Sequence, residues 1–296
     1  MTKNRKRVDI QEMVTGRVIE ALKKGKNPWV CPWVGCVVDG VAYNHGCNFT
    51  TKKAYRGANR LLTNISGFDS PFFLSFKQMV GLGGKLRPEM KGKSTPIVYW
   101  NWIEKEDESP KGIKKIPFLR YSSVWNADQI EGVDFGVVER VSAGEEKIIS
   151  RCEEVVKGYE NAPPITHGGN ACFYTPSVDK IKMVAKSSFK RVESYYCTLF
   201  HELIHSTGHK SRTGRLVGQE GASFASASYS KEELVAEMGA GFLAAECGIY
   251  SRELSKNSVA YLRGWLSRLG EDKKLILQAS SAANKAVDYI KGGSSE

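Results

Sequence analysis

The chain has 296 residues, enough for one large domain or two ordinary ones, and carries 43 Lys+Arg against 32 Asp+Glu, a formal net charge of +11. It holds no apolar run long enough for a membrane-spanning helix. Residues 1–7 are polar and basic with no apolar stretch behind them, and the seven cysteines are scattered and odd in number, so a cytoplasmic protein with reduced thiols is expected.

The charge is unevenly distributed. Residues 1–130 carry 22 Lys+Arg against 11 Asp+Glu, while the remainder carries 21 against 21. Five of the six tryptophans (Trp29, Trp33, Trp100, Trp102, Trp125) also lie in the first part. A basic, tryptophan-rich module points to nucleic acid. A membrane surface fits poorly, because no segment joins a long apolar face to a basic one.

In chain order, residues 9–24 read as a helix with one apolar stripe (Ile10, Met13, Val14, Val18, Leu22) and a basic, glycine-terminated end. Pro28-Trp29 and Pro32-Trp33 break it. Cys31, Cys36, His45 and Cys47 match no common zinc spacing and read as buried thiols. A helix begins near Tyr55, a strand covers 70–74, and a short helix opens at Ser75. Residues 95–103 form the clearest strand, 104–115 a hairpin loop and 118–125 the returning strand. Residues 133–145 read as a linker between an N-terminal domain (1–132) and a C-terminal one (146–296). There, 146–159 is helical, and 171–174 and 179–184 are strands. The second of these stands just before the next helix, where an extended peptide can pair with a free edge.

That next helix holds His201-Glu202-Leu203-Ile204-His205. Residues four apart share a helix face, so His201 and His205 can hold one metal ion, with Glu202 placed to act on a water as general base. Gly208 suits a left-handed helix stop. A third ligand is needed. His209 lies beyond Gly208, and Glu233 and Glu237 lie on a following helix rich in alanine. Ser230 and Glu233 can form a capping box there, which leaves Glu237 as the preferred ligand and Glu233 and His209 as rivals. Glu232 reads as solvated. Tyr229 and His209 are candidate oxyanion partners. Residues 210–228, rich in Gly, Ser and Ala, read as a mobile loop, and 258–269 and 272–290 as amphipathic helices.

These motifs, taken together, resemble the ArdC antirestriction family of plasmids and phages. The N-terminal matches include Pro28-Trp29, Pro32-Trp33, Tyr43-Asn44, Tyr55-Arg56-Gly57-Ala58-Asn59, Ser75-Phe76-Lys77-Gln78, Gly83-Gly84-Lys85-Leu86-Arg87 and Val124-Trp125-Asn126-Ala127-Asp128. They are shared with the N-terminal region of TraC-type plasmid primases. The C-terminal matches are His201 to His209 and Glu232-Glu233-Leu234-Val235-Ala236-Glu237. The resemblance implies an α+β protein: a mixed α/β domain binding single-stranded DNA, followed by a zincin-like metallopeptidase domain of Spartan or IrrE type. It implies a His-His-Glu or His-His-His metal set, with the IrrE pattern mapping onto Glu237; the His-Glu-x-x-His spacing itself points to zinc (Zn2+), with manganese (Mn2+) as the alternative. It also implies that the protein shields incoming DNA from restriction.

On the DNA side, Trp29, Trp33, Tyr55 and Phe76 are candidates for base stacking, Arg56, Lys77, Lys85 and Arg87 for phosphate, and Asn44 and Asn59 for sugar or base edges. Two functions follow. One is a metalloprotease guided by single-stranded DNA towards DNA-bound proteins. The other is a non-enzymatic strand-coating protein whose metal domain is structural or regulatory.

Overall fold

The structure, a computed structural model, describes residues 8–106, 113–218, 227–249 and 265–293. The basic tail 1–7, part of the loop 210–228 and most of 258–269 lie outside the described residues. Helix α1 (Ile10–Lys23) begins where Asp9 accepts the Gln11 and Glu12 amides at 3.0 and 3.1 Å, satisfying donors that the first turn leaves unpaired. The chain then makes three short strands, β1 (Cys36–Val38), β2 (Val41–Tyr43) and β3 (Cys47–Asn48), and helix α2 (Ala58–Asn64). Strand β4 (Phe72–Ser75) runs into α3 (Phe76–Gly81), which Ser75 and Gln78 start with a reciprocal capping box.

After β5 (Lys85–Leu86), β6 (Thr95–Glu106) and β7 (Ile113–Asn126) form a long antiparallel hairpin. Its ladder continues to Glu106 opposite Ile113, so residues 104–106 and 113–115 of the stretch expected as loop are strand. The sheet order is β3-β4-β7-β6, which leaves β6 as an edge. Asn59 of α2 covers part of that edge: its Nδ2 donates to the Val98 carbonyl and its Oδ1 accepts the Val98 amide, both at 2.7 Å. Strand β8 (Ile130–Glu131) pairs with β5. The expected linker is folded onto this part, because β9 (Val138–Arg140) pairs with β1, and Val133 and Phe135 pack on the small cores beside the sheet.

Helix α4 (Glu145–Gly158) leads to β10 (Ile165–His167), β11 (Phe173–Thr175) and β12 (Lys180–Met183). The order is β10-β12-β11. The strand expected to offer a free edge, β12, is therefore central, and β10 and β11 hold the edges. Helices α5 (Val192–Ser206), α6 (Ala227–Glu246) and α7 (Leu275–Ile290) complete the fold.

The largest core joins the two halves. Val14, Val18 and Leu22 of α1, Trp29, and Leu61 and Leu62 of α2 share it with Leu203 and Ile204 of α5, Phe242 of α6 and Ala283 of α7. Leu234, Val235, Met238, Phe242 and Leu243 on one side and Ala236, Ala240 and Ala244 on the other place buried side chains all round α6, the pattern of a helix enclosed by protein. Each large apolar side chain buried there stabilises the fold by about 1.5–3 kcal/mol relative to exposure. All seven cysteines are unpaired thiols, and Cys31, Cys36 and Cys47 are buried apolar contacts. Among the described residues no helix is long and apolar enough to cross a membrane.

Candidate functional site

Helix α5 is fixed in the core by Leu199, Phe200, Leu203 and Ile204, all at most 3% exposed. This packing turns His201 and His205 to one side, with their rings edge to face at 4.7 Å between centroids. Their Nε2 atoms stand 3.0 Å apart. Facing them from α6, the Glu233 carboxylate places Oε2 3.5 Å from His201 Nε2 and Oε1 3.4 Å from His205 Nε2. Among the described residues this trio is the group able to share one metal ion.

The other ring nitrogens meet a second pair of carboxylates. His205 Nδ1 is 3.1 Å from Glu232 Oε1, and His201 Nδ1 is 3.9 Å from Glu237 Oε1. A metal-bound imidazole characteristically uses its other nitrogen on a carboxylate, which fixes ring orientation and tautomer. The expected third ligand, Glu237, thus faces His201 Nδ1, and its rival Glu233 is the carboxylate that stands with both Nε2 atoms. The capping argument against Glu233 fails because α6 starts at Ala227, which places Ser230 inside the helix. Glu232 is not solvated either. It is 7% exposed, and Arg215 grips it through Nε at 2.7 Å and Nη2 at 2.8 Å.

The charges follow from these contacts. Burial opposes a proton on His205, but hydrogen bonds to Glu232 and Glu233 outweigh it and lift its pKa to about 10. Burial also pushes Glu233 upward, yet its hydrogen bonds to the two histidines hold it well below the usual carboxylate range. For Glu237 burial prevails over attraction to His201, and its pKa rises. Glu202 is 7% exposed, next to His201 on α5.

His209 is turned away: its Nδ1 accepts from the Ser211 hydroxyl at 2.7 Å and lies 3.9 Å from Asp179. The side chain of Tyr229, the other oxyanion candidate, lies outside the described residues. Asp179 pairs with Arg212, whose Nε donates to the Ser206 carbonyl at 2.7 Å, clasping the end of α5 to the turn before β12. Gly208 is not left-handed. A Cβ there would come within 2.6 Å of Leu216 Cγ, so close approach explains the glycine.

On the DNA side, five of the ten candidates are committed to the fold. Trp29 and Trp33 are 2% and 0% exposed and have no ring face to offer a base. Trp33 Nε1 instead donates to the Phe68 carbonyl at 3.2 Å. Tyr55 is half-buried, edge-on to Phe73, with its hydroxyl pKa pushed up to about 12 by burial. Asn44 donates to the Glu246 carbonyl of α6 at 3.4 Å, and Asn59 holds the β6 edge. Arg56 is exposed, with its guanidinium beside Asp288 of α7. Phe76, Lys77, Lys85 and Arg87 remain exposed, Lys85 with Glu131 at 3.4 Å. Sequence reasoning missed the exposed aromatics of the hairpin, Tyr99, Trp100, Trp102 and Tyr121. Their signal was alternation along a strand that extends past the sheet.

A helix carrying His-Glu-x-x-His, faced by a carboxylate-bearing helix and flanked by a small sheet, defines a zincin-like site for a divalent metal. Residues 152–282 match the zincin-like metallopeptidase family, and residues 8–125 match the N-terminal domain of anti-restriction factor ArdC. The metal-free crystal structure of antirestriction ArdC from plasmid R388 aligns with a TM-score of 0.72 at 30% identity, covering 96% of this chain and 97% of that one. Its Mn(II)-bound structure aligns at 0.74 and 29%, covering 96% and 98%. The chain belongs to the ArdC antirestriction family. DNA primase TraC of Escherichia coli is 31% identical over 297 residues, or 94% of this chain, but the chain spans only 27% of that primase. The uncharacterized protein y4eC of Sinorhizobium fredii is 28% identical, with 95% of this chain and 91% of that protein covered.

Proposed function

We propose that this antirestriction protein binds single-stranded DNA without sequence preference, protects incoming plasmid or phage DNA, and carries a metal-dependent peptidase that acts on proteins at the DNA. The observation that supports this most is the double use of α6. Its first half presents Glu232, Glu233 and Glu237 to the histidines. Its second half meets the N-terminal part, where Arg60 Nη2 donates to the Phe242 carbonyl at 3.3 Å and Asn44 reaches the Glu246 carbonyl.

The donor set fits a catalytic divalent ion: two imidazoles and a carboxylate, as in His-His-Glu peptidases. His201, His205 and Glu233 would hold it, with Glu232 and Glu237 orienting the rings. When bound, such an ion polarises a carbonyl oxygen and makes a coordinated water more acidic. Glu202, beside His201, would be the base that takes a proton from a water and returns it to the leaving amine. Imidazole and carboxylate suit zinc or manganese, and the Mn(II)-bound relative supports manganese as a usable ion.

A strand-coating reading is favoured by one observation: the exposed aromatics and cations of the N-terminal part can hold DNA with no chemistry at the metal. Transfer of unmodified plasmid into a restricting recipient, with the wild type or Glu202→Ala, separates the two. Loss of protection in the variant, with DNA binding intact, supports the peptidase; full protection supports coating.

A further inference from the structure

A two-stranded ribbon has no interior, so large apolar residues on it face solvent unless something else covers them. Beyond Val98 the β6–β7 hairpin presents Trp100 and Trp102, 58% and 59% exposed, with Tyr99 and Tyr121 at 44% and 42%. Strand alternation and register put Trp100 and Trp102 on one face, along with Leu119 and Pro117 opposite them and Tyr121 opposite Val98. Tyr99, opposite Arg120, lies on the other face. Phe76, at 56% exposure, rests its ring 5.8 Å from Trp125 near the base of the hairpin.

The surrounding charge narrows the choice of partner. Lys77, Arg87, Lys91, Lys93 and Arg120 are all exposed, and none has an ion-pair partner among the described residues. Arg120 lies over the Phe118 ring at 5.1 Å. Aromatic faces interleaved with unpaired cations match a flexible polyanion bearing flat bases, which is single-stranded nucleic acid.

We infer that the β6–β7 hairpin is the stacking arm for single-stranded DNA, with Trp100 and Trp102 as its base platforms and the cations at its base as phosphate contacts. This rests on the DNA-binding reading above and assigns it a surface. The spacing is suitable: two residues along a strand advance about 6.8 Å, twice the roughly 3.4 Å rise between stacked bases. One base therefore fits between the two indoles, while further bases can use Tyr121 and Phe76.

The test uses the full chain and a fluorescent oligothymidylate, with binding followed by anisotropy. Trp100→Ala/Trp102→Ala should weaken binding by at least about tenfold with an unchanged thermal transition, and Trp100→Phe/Trp102→Phe should recover most of it. Tight binding by the wild type with no loss in the alanine pair overturns the arm and leaves the DNA-binding reading standing. Absence of binding by the wild type overturns both. Sedimentation supplies the remaining arm: if the wild type is a dimer that the alanine pair converts to monomer at unchanged DNA affinity, the face is a self-association surface and the inference fails.

Discussion

Glu233 and Glu237 stand one turn apart on α6, and their roles divide according to which imidazole nitrogen each meets. Glu233 faces both Nε2 atoms, whereas Glu237 faces His201 Nδ1. Glu233→Gln should reduce metal affinity beyond measurement, and Glu237→Gln should reduce it by about 10–100-fold, as loss of an orienting partner does; calorimetric titration of the metal-free protein checks both. The opposite order would make Glu237 the ligand. Asp179 gives a pH test. Burial works to raise its pKa, but Arg212 and Tyr174 outweigh it and bring the carboxyl below its ordinary 3.8. A depressed folded-state pKa stabilises above the unfolded value and is lost as pH falls through the folded one. The gap in Tm between wild type and Asp179→Asn should therefore hold from about pH 7 to 5 and close below about pH 4; a gap that widens in acid would contradict the Arg212 clasp. At this scale the sequence was legible where partners share a segment. His201, Glu202 and His205 are readable because helical spacing alone joins them. Glu232 and Arg215 were not, because they stand 17 residues apart with no periodic pattern linking them. Likewise, nothing in a tryptophan's neighbours along the chain separates buried Trp33 from exposed Trp102; only the end of the sheet does.

Among the elements, α5 and α6 set the distance between histidines and carboxylates. Gly239 makes that distance short: a Cβ there would come within 2.6 Å of Ile204 Cδ1 and 2.7 Å of its Cγ1. Gly239→Ala should destabilise the protein by about 1–3 kcal/mol through overpacking, seen in urea unfolding, and should also weaken metal binding by moving Glu233 away from the rings. A stability loss with metal affinity unchanged would show that the helices part elsewhere. Most elements could be read beforehand, since α1, α3, α4, α5 and the β6–β7 hairpin follow caps and periodicity. The errors lie where tertiary pairing decides: β9 is three residues long and exists because β1 offers it an edge, and α6 begins before the serine that looked like its cap.

Across the whole molecule, the sequence separates into a basic half and a neutral half, yet the structure packs both around α6. An apolar stripe announces that a helix is buried without saying what buries it, so a core shared by α1, α2, α5, α6 and α7 could not be read from the stripes. The charge difference remains visible on the surface, with unpaired cations and aromatics on the N-terminal side and the histidine-carboxylate cluster on the other. The proposed DNA-guided peptidase would use both surfaces, and the core shared around α6 joins them in one fold. The measurement that tests this most directly is a gel-based cleavage assay with the metal-loaded protein and Glu202→Ala, each with and without single-stranded DNA and a DNA-bound protein. Cleavage that requires both the DNA and Glu202 is the predicted result; no cleavage in any lane, with metal and DNA both shown to be bound, would contradict it.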